Sequence, residues 1–126
     1  MKRLALYITL IFIAGGGALG QKKPNPCADA QSQAEMNICA GKAYEAADAE
    51  LNQVYKKLSS MVDDEEKAQL KEAENAWIKY RDLNCDFVAD QYKGGSIRPM
   101  VHGNCLADVT RNRTKEIKSQ IQDRNQ

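Results

Sequence analysis

Apolar residues recur at alternating steps of three and four through Tyr44, Ala47, Leu51, Val54, Leu58 and Met61. That spacing keeps one face of an α-helix apolar for about five turns, the seam of a bundle. Ser32 and Glu35, just ahead of the stripe, have capping-box spacing and mark its start. Gly41 weakens the helix locally by roughly 1 kcal/mol relative to alanine. Asp63-Asp64-Glu65-Glu66 ends the stripe. Asp63 and Glu66 repeat the capping spacing, and acids suit a helix N-terminus. A second stripe runs through Leu70, Ala73, Trp77, Tyr80 and Phe87 to Gly94-Gly95, with Asn84 on its seam and Leu83 beside it. On this pattern Trp77 and Tyr80 are core residues rather than an exposed aromatic platform for sugar rings. A third helix is predicted from near Pro99, a good first-turn residue, through Cys105, Val109, Arg113 and Ile117. No segment alternates with period two for long enough to be a strand. The predicted fold is all-α: a small three-helix bundle, helices two and three forming a hairpin about Gly94-Gly95 and helix one packed across it.

The N-terminus follows another pattern. Lys2 and Arg3 precede a stretch, residues 4–14, that is apolar apart from Thr9, and small residues stand at Ala18 and Gly20. This is the form of a cleaved secretory signal, too short in its apolar part for a membrane span. Removing residues 1–20 of the 126 leaves 106, enough for one small domain. Gln21 follows the cut and the first cysteine is Cys27, so no lipid-attachment cysteine sits at the junction. The expected product is exported, periplasmic or secreted, without a lipid anchor. Residues 21–31 read as a polar arm, 32–122 as the helical domain and 123–126 as a polar tail.

Export changes the charge balance. The whole chain has 18 basic and 17 acidic residues; without Lys2 and Arg3 the balance is −1. A near-neutral domain has no general attraction to nucleic acid. The four cysteines, Cys27, Cys39, Cys85 and Cys105, read in an exported domain as two disulfides. With one histidine, His102, and no CxxC pair, a zinc site is disfavoured. Cys85 and Cys105 flank the Gly-Gly turn at similar distances, as facing rungs of a hairpin would. Cys27 reaches Cys39 if the arm folds back along helix one, since twelve residues of straight helix span about 18 Å and bridged Cα atoms lie about 5.5–6 Å apart. Of the three possible pairings, Cys27–Cys39 with Cys85–Cys105 is favoured.

Asp48, Asn52, Arg81, Asp82, Thr110 and Arg113 are polar residues on or beside the apolar stripes. Carboxylates among them are open to an acid–base reading. The favoured reading is a structural polar network in which Arg81 or Arg113 pairs with Asp48 or Asp82 while Asn52 and Thr110 satisfy nearby groups. His102 reads as a surface residue, and Asn112-Arg113-Thr114 fits a glycosylation sequon. No nucleophile and base can be assembled into a catalytic arrangement. No catalytic residue, cofactor or metal is implied, and the protein reads as a non-enzyme.

Several motifs together resemble a known family. Ser32-Gln33-Ala34-Glu35-Met36-Asn37-Ile38-Cys39-Ala40 is followed by Ala47-Asp48-Ala49-Glu50-Leu51-Asn52-Gln53-Val54-Tyr55. Then come Trp77-Ile78-Lys79-Tyr80-Arg81-Asp82 with Cys85, next Gly94-Gly95-Ser96, and last Cys105-Leu106-Ala107 with Thr110 and Arg113. In order and spacing these resemble the LprI-like family of exported bacterial domains, named for a lysozyme inhibitor, over about Cys27 to Ile117. The named member is a lipoprotein, whereas this chain lacks the lipid-attachment cysteine. The resemblance implies a protein partner, a lysozyme. On that reading Lys93, Ser96 and Arg98, around the two glycines and braced by Cys85–Cys105, would enter the enzyme's cleft and meet the carboxylates at its floor. The alternative is a non-catalytic interaction or scaffold module of the cell envelope. An exposed apolar patch outside the core would favour that alternative, and a cationic turn standing clear of the bundle would favour the inhibitor.

Overall fold

The computed structural model describes residues 27–126. The expected signal, residues 1–20, and residues 21–26 of the arm lie outside the described residues. Three helices follow one another: α1 (Gln33–Ser60), α2 (Asp64–Asp90) and α3 (Arg98–Asp123).

Side chains set the starts of α1 and α2 as the sequence predicts. The Ser32 hydroxyl accepts from the Glu35 amide at 3.2 Å, and the Glu35 carboxylate accepts from the Ser32 amide at 3.0 Å. Asp63 and Glu66 repeat this box at the start of α2. Each box occupies amides that the first turn leaves without intrahelical partners. Pro99 sits in the first turn of α3, which has no side-chain cap. α2 ends at Asp90, earlier than the glycine pair. Residues 91–97 then form tight turns, with the Lys93 amide donating to Asp90 and the Gly95 amide to Tyr92. Gly94 has φ +81°, a left-handed conformation that suits glycine.

α2 runs antiparallel to α3 along its length, with Glu66 opposite Arg124, Glu74 opposite Arg113 and Cys85 bonded to Cys105. α1 runs in the same direction as α3: Ala40 lies against Gly103, and Glu50 pairs with Lys118 at 2.6 Å. The most extensive packing is between α1 and α3. Helix one therefore lies mainly along helix three rather than evenly across the hairpin. Gly103 makes this approach possible, because a Cβ there would stand 3.0 Å from both the carbonyl carbon and the Cβ of Ala40.

The two ends of the bundle are held differently. At one end Leu51, Leu58, Ile117 and Ile121 form a buried cluster, with Leu70 and Trp77 of α2 packed against it. At the other end the buried residues are mostly small, including Ala40, Ala89, Gly103 and Ala107 beside Leu106, and both disulfides stand there. Crosslinks supplement apolar burial where little of it is available.

The expected apolar face of α2 needs correction. Tyr80 and Phe87 are not core residues: they are 59% and 81% exposed, and Ala73 is also exposed. The inner face instead carries Glu74, Arg81, Cys85 and Ala89. The disulfide to Cys105 sets the rotation of the helix. Residues four apart from Cys85 then face inward, while Phe87, two positions on, falls on the opposite side of a 3.6-residue turn. Trp77 does pack against the core.

Candidate functional site

The braced end of the bundle joins the start of α1 to the turn between α2 and α3. Cys27–Cys39 and Cys85–Cys105 each hold their Cα atoms 5.5 Å apart, in the expected pairing. The Asn37 amide donates to the Ser96 carbonyl at 3.0 Å, tying the turn to α1 across the end of the molecule.

On this frame Lys93 and the Ser96 side chain are exposed. Arg98 is not a bare cation. Its guanidinium donates to Asp90 at 2.7 and 3.1 Å and lies 3.7 Å from Asp86. His102 stands 3.2 Å from the same Asp86 carboxylate. The Arg98 hydrogen bonds hold the Asp90 carboxyl below its ordinary range, as a cationic donor favours the charged form. Arg98 is thus directed back onto α2, and Lys93 is left facing solvent. Apolar side chains surround this end as well: Leu83, Phe87 and Tyr92 on one side and Ile38 on α1 are all exposed.

The polar residues of the stripes separate into two groups. Arg81, 7% exposed, lies between the rings of Tyr44 and Trp77, with its guanidinium carbon 5.3 and 5.2 Å from their centroids. It pairs with Asp82 at 2.8 Å and Asp48 at 3.8 Å, and Asn52 donates to Asp48 at 3.2 Å. Burial raises the Tyr44 pKa. The second group centres on Arg113, which pairs at 3.0 Å with both Glu74 and Glu116 and also approaches the Trp77 ring. Thr110 belongs to neither. Its hydroxyl is fully buried and has no hydrogen-bond partner, while its carbonyl accepts from Thr114.

A groove of about 450 Å³ between α1 and α2 is lined by Asp48, Asn52, Trp77 and Arg81, among others. Its charged groups already satisfy one another, and both arginines lie against the Trp77 ring. The arrangement couples helices. All four cysteines are oxidised. Among the described residues no group of three or more His, Cys, Asp or Glu side chains is placed to hold a metal ion. No helix there is long and apolar enough to cross a membrane.

Sequence reasoning did not single out Glu74, Asp86, Asp90 or Gly103. Glu74, Trp77 and Arg81 do share a helical face, at steps of three and four, but a stripe traced through apolar residues alone passes over the two charged ones. Gly103 carried no signal, because a glycine inside a helix is equally compatible with solvent or with a close crossing.

A family model described as Lysozyme inhibitor LprI matches residues 25–117, nearly all of the described helical domain. An uncharacterized protein of Rhizobium meliloti (strain 1021) is 36% identical over 131 residues, covering 94% of this chain and 94% of its own length. No solved structure matches the chain. The match spans both disulfides, all three capping or first-turn signals and both arginine clusters, and so the chain belongs to the LprI lysozyme-inhibitor family.

Proposed function

We propose that this protein is an exported, non-catalytic inhibitor that binds a lysozyme and blocks its glycan cleft, using the turn that carries Lys93, Ser96 and Arg98. The observation that supports this reading is the bracing of that turn. Two disulfides and the Asn37–Ser96 hydrogen bond converge on the end of the bundle where it stands. A loop held before binding loses less conformational freedom on binding. Lys93 would supply the charge that meets the acidic floor of the cleft, and Ser96 a neutral hydroxyl. Arg98, engaged with Asp90, would hold the loop's shape more than it would reach the enzyme.

A second reading, a protein-interaction module of the cell envelope, is favoured by the exposed Tyr80, Leu83 and Phe87. One assay separates the two. Residual muramidase activity on peptidoglycan is measured with c-type and g-type lysozymes against increasing oxidised protein, alongside the Lys93→Ala/Ser96→Ala/Arg98→Ala variant. Stoichiometric inhibition that the variant loses supports the turn. Inhibition kept by the variant retains the function and rejects the loop. No inhibition by the native protein at about 100 µM, weaker than about 5.5 kcal/mol of binding, rejects the inhibitor reading in favour of the interaction module.

A further inference from the structure

The outward face of α2 is apolar where a solvated helix face would be polar. Tyr80, Leu83 and Phe87 follow one another at steps of three and four and are 59%, 61% and 81% exposed. Together they leave on the order of 400 Å² of apolar side chain in water, the size of patch that marks interaction sites on monomers.

Two features identify the occupant. The first is a seven-residue repeat with opposite charges: Lys79-Tyr80 recurs as Asp86-Phe87, with Leu83 between them. Lys79 and Asp86 therefore lie along one edge of the apolar stripe, and Tyr80 and Phe87 along the other. When two helices pair antiparallel, like edges meet. A two-fold axis at Leu83 then places Lys79 of each copy beside Asp86 of the other, twice. A parallel pair would set unlike edges together and lose both contacts. Asp86 also faces His102 and Arg98, yet its side chain is 57% exposed.

The second feature is a hollow of about 200 Å³ on the Tyr80 edge, lined by Trp77, Tyr80, Val109, Asn112, Arg113 and Glu116. The same two-fold brings Phe87 of one copy to the level of Lys79 and Tyr80 in the other, on the edge where this hollow lies. Its size suits one phenyl ring, since a cavity of about 150 Å³ holds benzene. A second copy is the partner certain to present both the matching charges and the matching hollow.

We infer that two copies of this chain pair antiparallel through α2. Leu83 lies on the axis, Phe87 of each copy seats beside Tyr80 of the other, and Lys79 of each pairs with Asp86 of the other. The contact is isologous and closes as a dimer. Its residues lie on α2 outside the turn proposed to meet lysozyme, although Asp86 stands 3.7 Å from Arg98, and the pairing does not depend on that proposal.

Sedimentation velocity of the oxidised protein, purified from the periplasm of an expression host, tests the pairing between about 5 and 500 µM. The patch is smaller than a standard interface, so a dissociation constant of about 10–100 µM is expected. Leu83→Asp is expected to weaken association at least about tenfold with the far-ultraviolet circular dichroism unchanged, because Leu83 is exposed in the single chain. Lys79→Glu and Asp86→Lys should each weaken self-association, since each places like charges together at both contacts. Mixing these two variants should restore a heterodimer, since the mixed pair has opposite charges at both. A chain that stays monomeric at about 500 µM overturns the inference. So does a dimer indifferent to Leu83→Asp, or a mixture that associates no better than its components.

Discussion

Gly103 decides how near α1 and α3 can come. A methyl group there would meet the carbonyl carbon and Cβ of Ala40 at 3.0 Å and the carbonyl oxygen at 3.2 Å. Two of those atoms are backbone and cannot swing aside. Alanine is the better helix former by about 1 kcal/mol, but overpacking costs about 1–3 kcal/mol when the neighbour is rigid. Gly103→Ala is therefore expected to lose about 1 kcal/mol net in urea unfolding, against the gain its helix propensity alone would give. An increase in stability would mean that the two helices separate without cost. Glu74 and Arg81 make a related point, because residues of this kind are rarely buried without a partner. Glu74 is matched by Arg113, and Arg81 by Asp82, Asp48 and two aromatic rings. Polar residues on or beside the apolar stripes suggested that Arg81 or Arg113 pairs with Asp48 or Asp82. The role of Glu74 became evident only when α3 was placed beside it.

Among the elements, α2 depends most on its crosslink. Its inner face carries two charges, a cysteine and an alanine, which is little apolar area to choose one rotation over another. Cys85 is fully buried and its bond to Cys105 fixes that rotation. Cys27–Cys39, near the chain start, ties the arm to the first turns of α1 and is only half-buried. Under limiting reductant Cys27–Cys39 is expected to open first, as followed by thiol alkylation and mass spectrometry, because exchange requires access to sulfur. Helical content should persist at that stage, since the Ser32–Glu35 box remains. Loss of the second bridge should then remove about 3 kcal/mol more. Labelling of Cys85 before Cys39 would show that the hairpin opens more readily than the arm. The position of both cysteine pairs was legible from their distances to the turn and the cap. The inward face of α2 was not, because its apolar residues trace the exposed side.

At the scale of the whole molecule, electrostatics sets the response to acid. Glu35 is held below the ordinary carboxylate range by the backbone amides of Ser32 and Gln31, Glu50 by a hydrogen bond from Lys118, and Asp90 by Arg98. Each binds a proton less readily folded than unfolded. Between the two values the unfolded chain holds more protons, so stability rises with pH there. The contribution is complete above the unfolded range and is lost as the pH falls through the lowered folded values. The melting temperature should be level from neutral pH to about 5 and decline below about 4. The decline should be shallow and weaken in salt, because all three groups are exposed. A melting temperature that rises on acidification would contradict these assignments.

The sequence by itself determined the three helices, the capped starts of the first two, the Gly-Gly turn, the disulfide pairing and the family. All of these rest on residues close in the chain or on ordered motifs, so local backbone chemistry and spacing carry them. Tertiary structure decided the rest: α1 lying along α3, Arg98 turned back onto Asp90, Glu74 buried against Arg113, and Tyr80 and Phe87 left in water. A helix with apolar residues on one side and pairable charges on the other has two plausible inward faces. Hydrophobic period alone chooses the wrong one when a crosslink and matched ion pairs on neighbouring helices hold the other face inward.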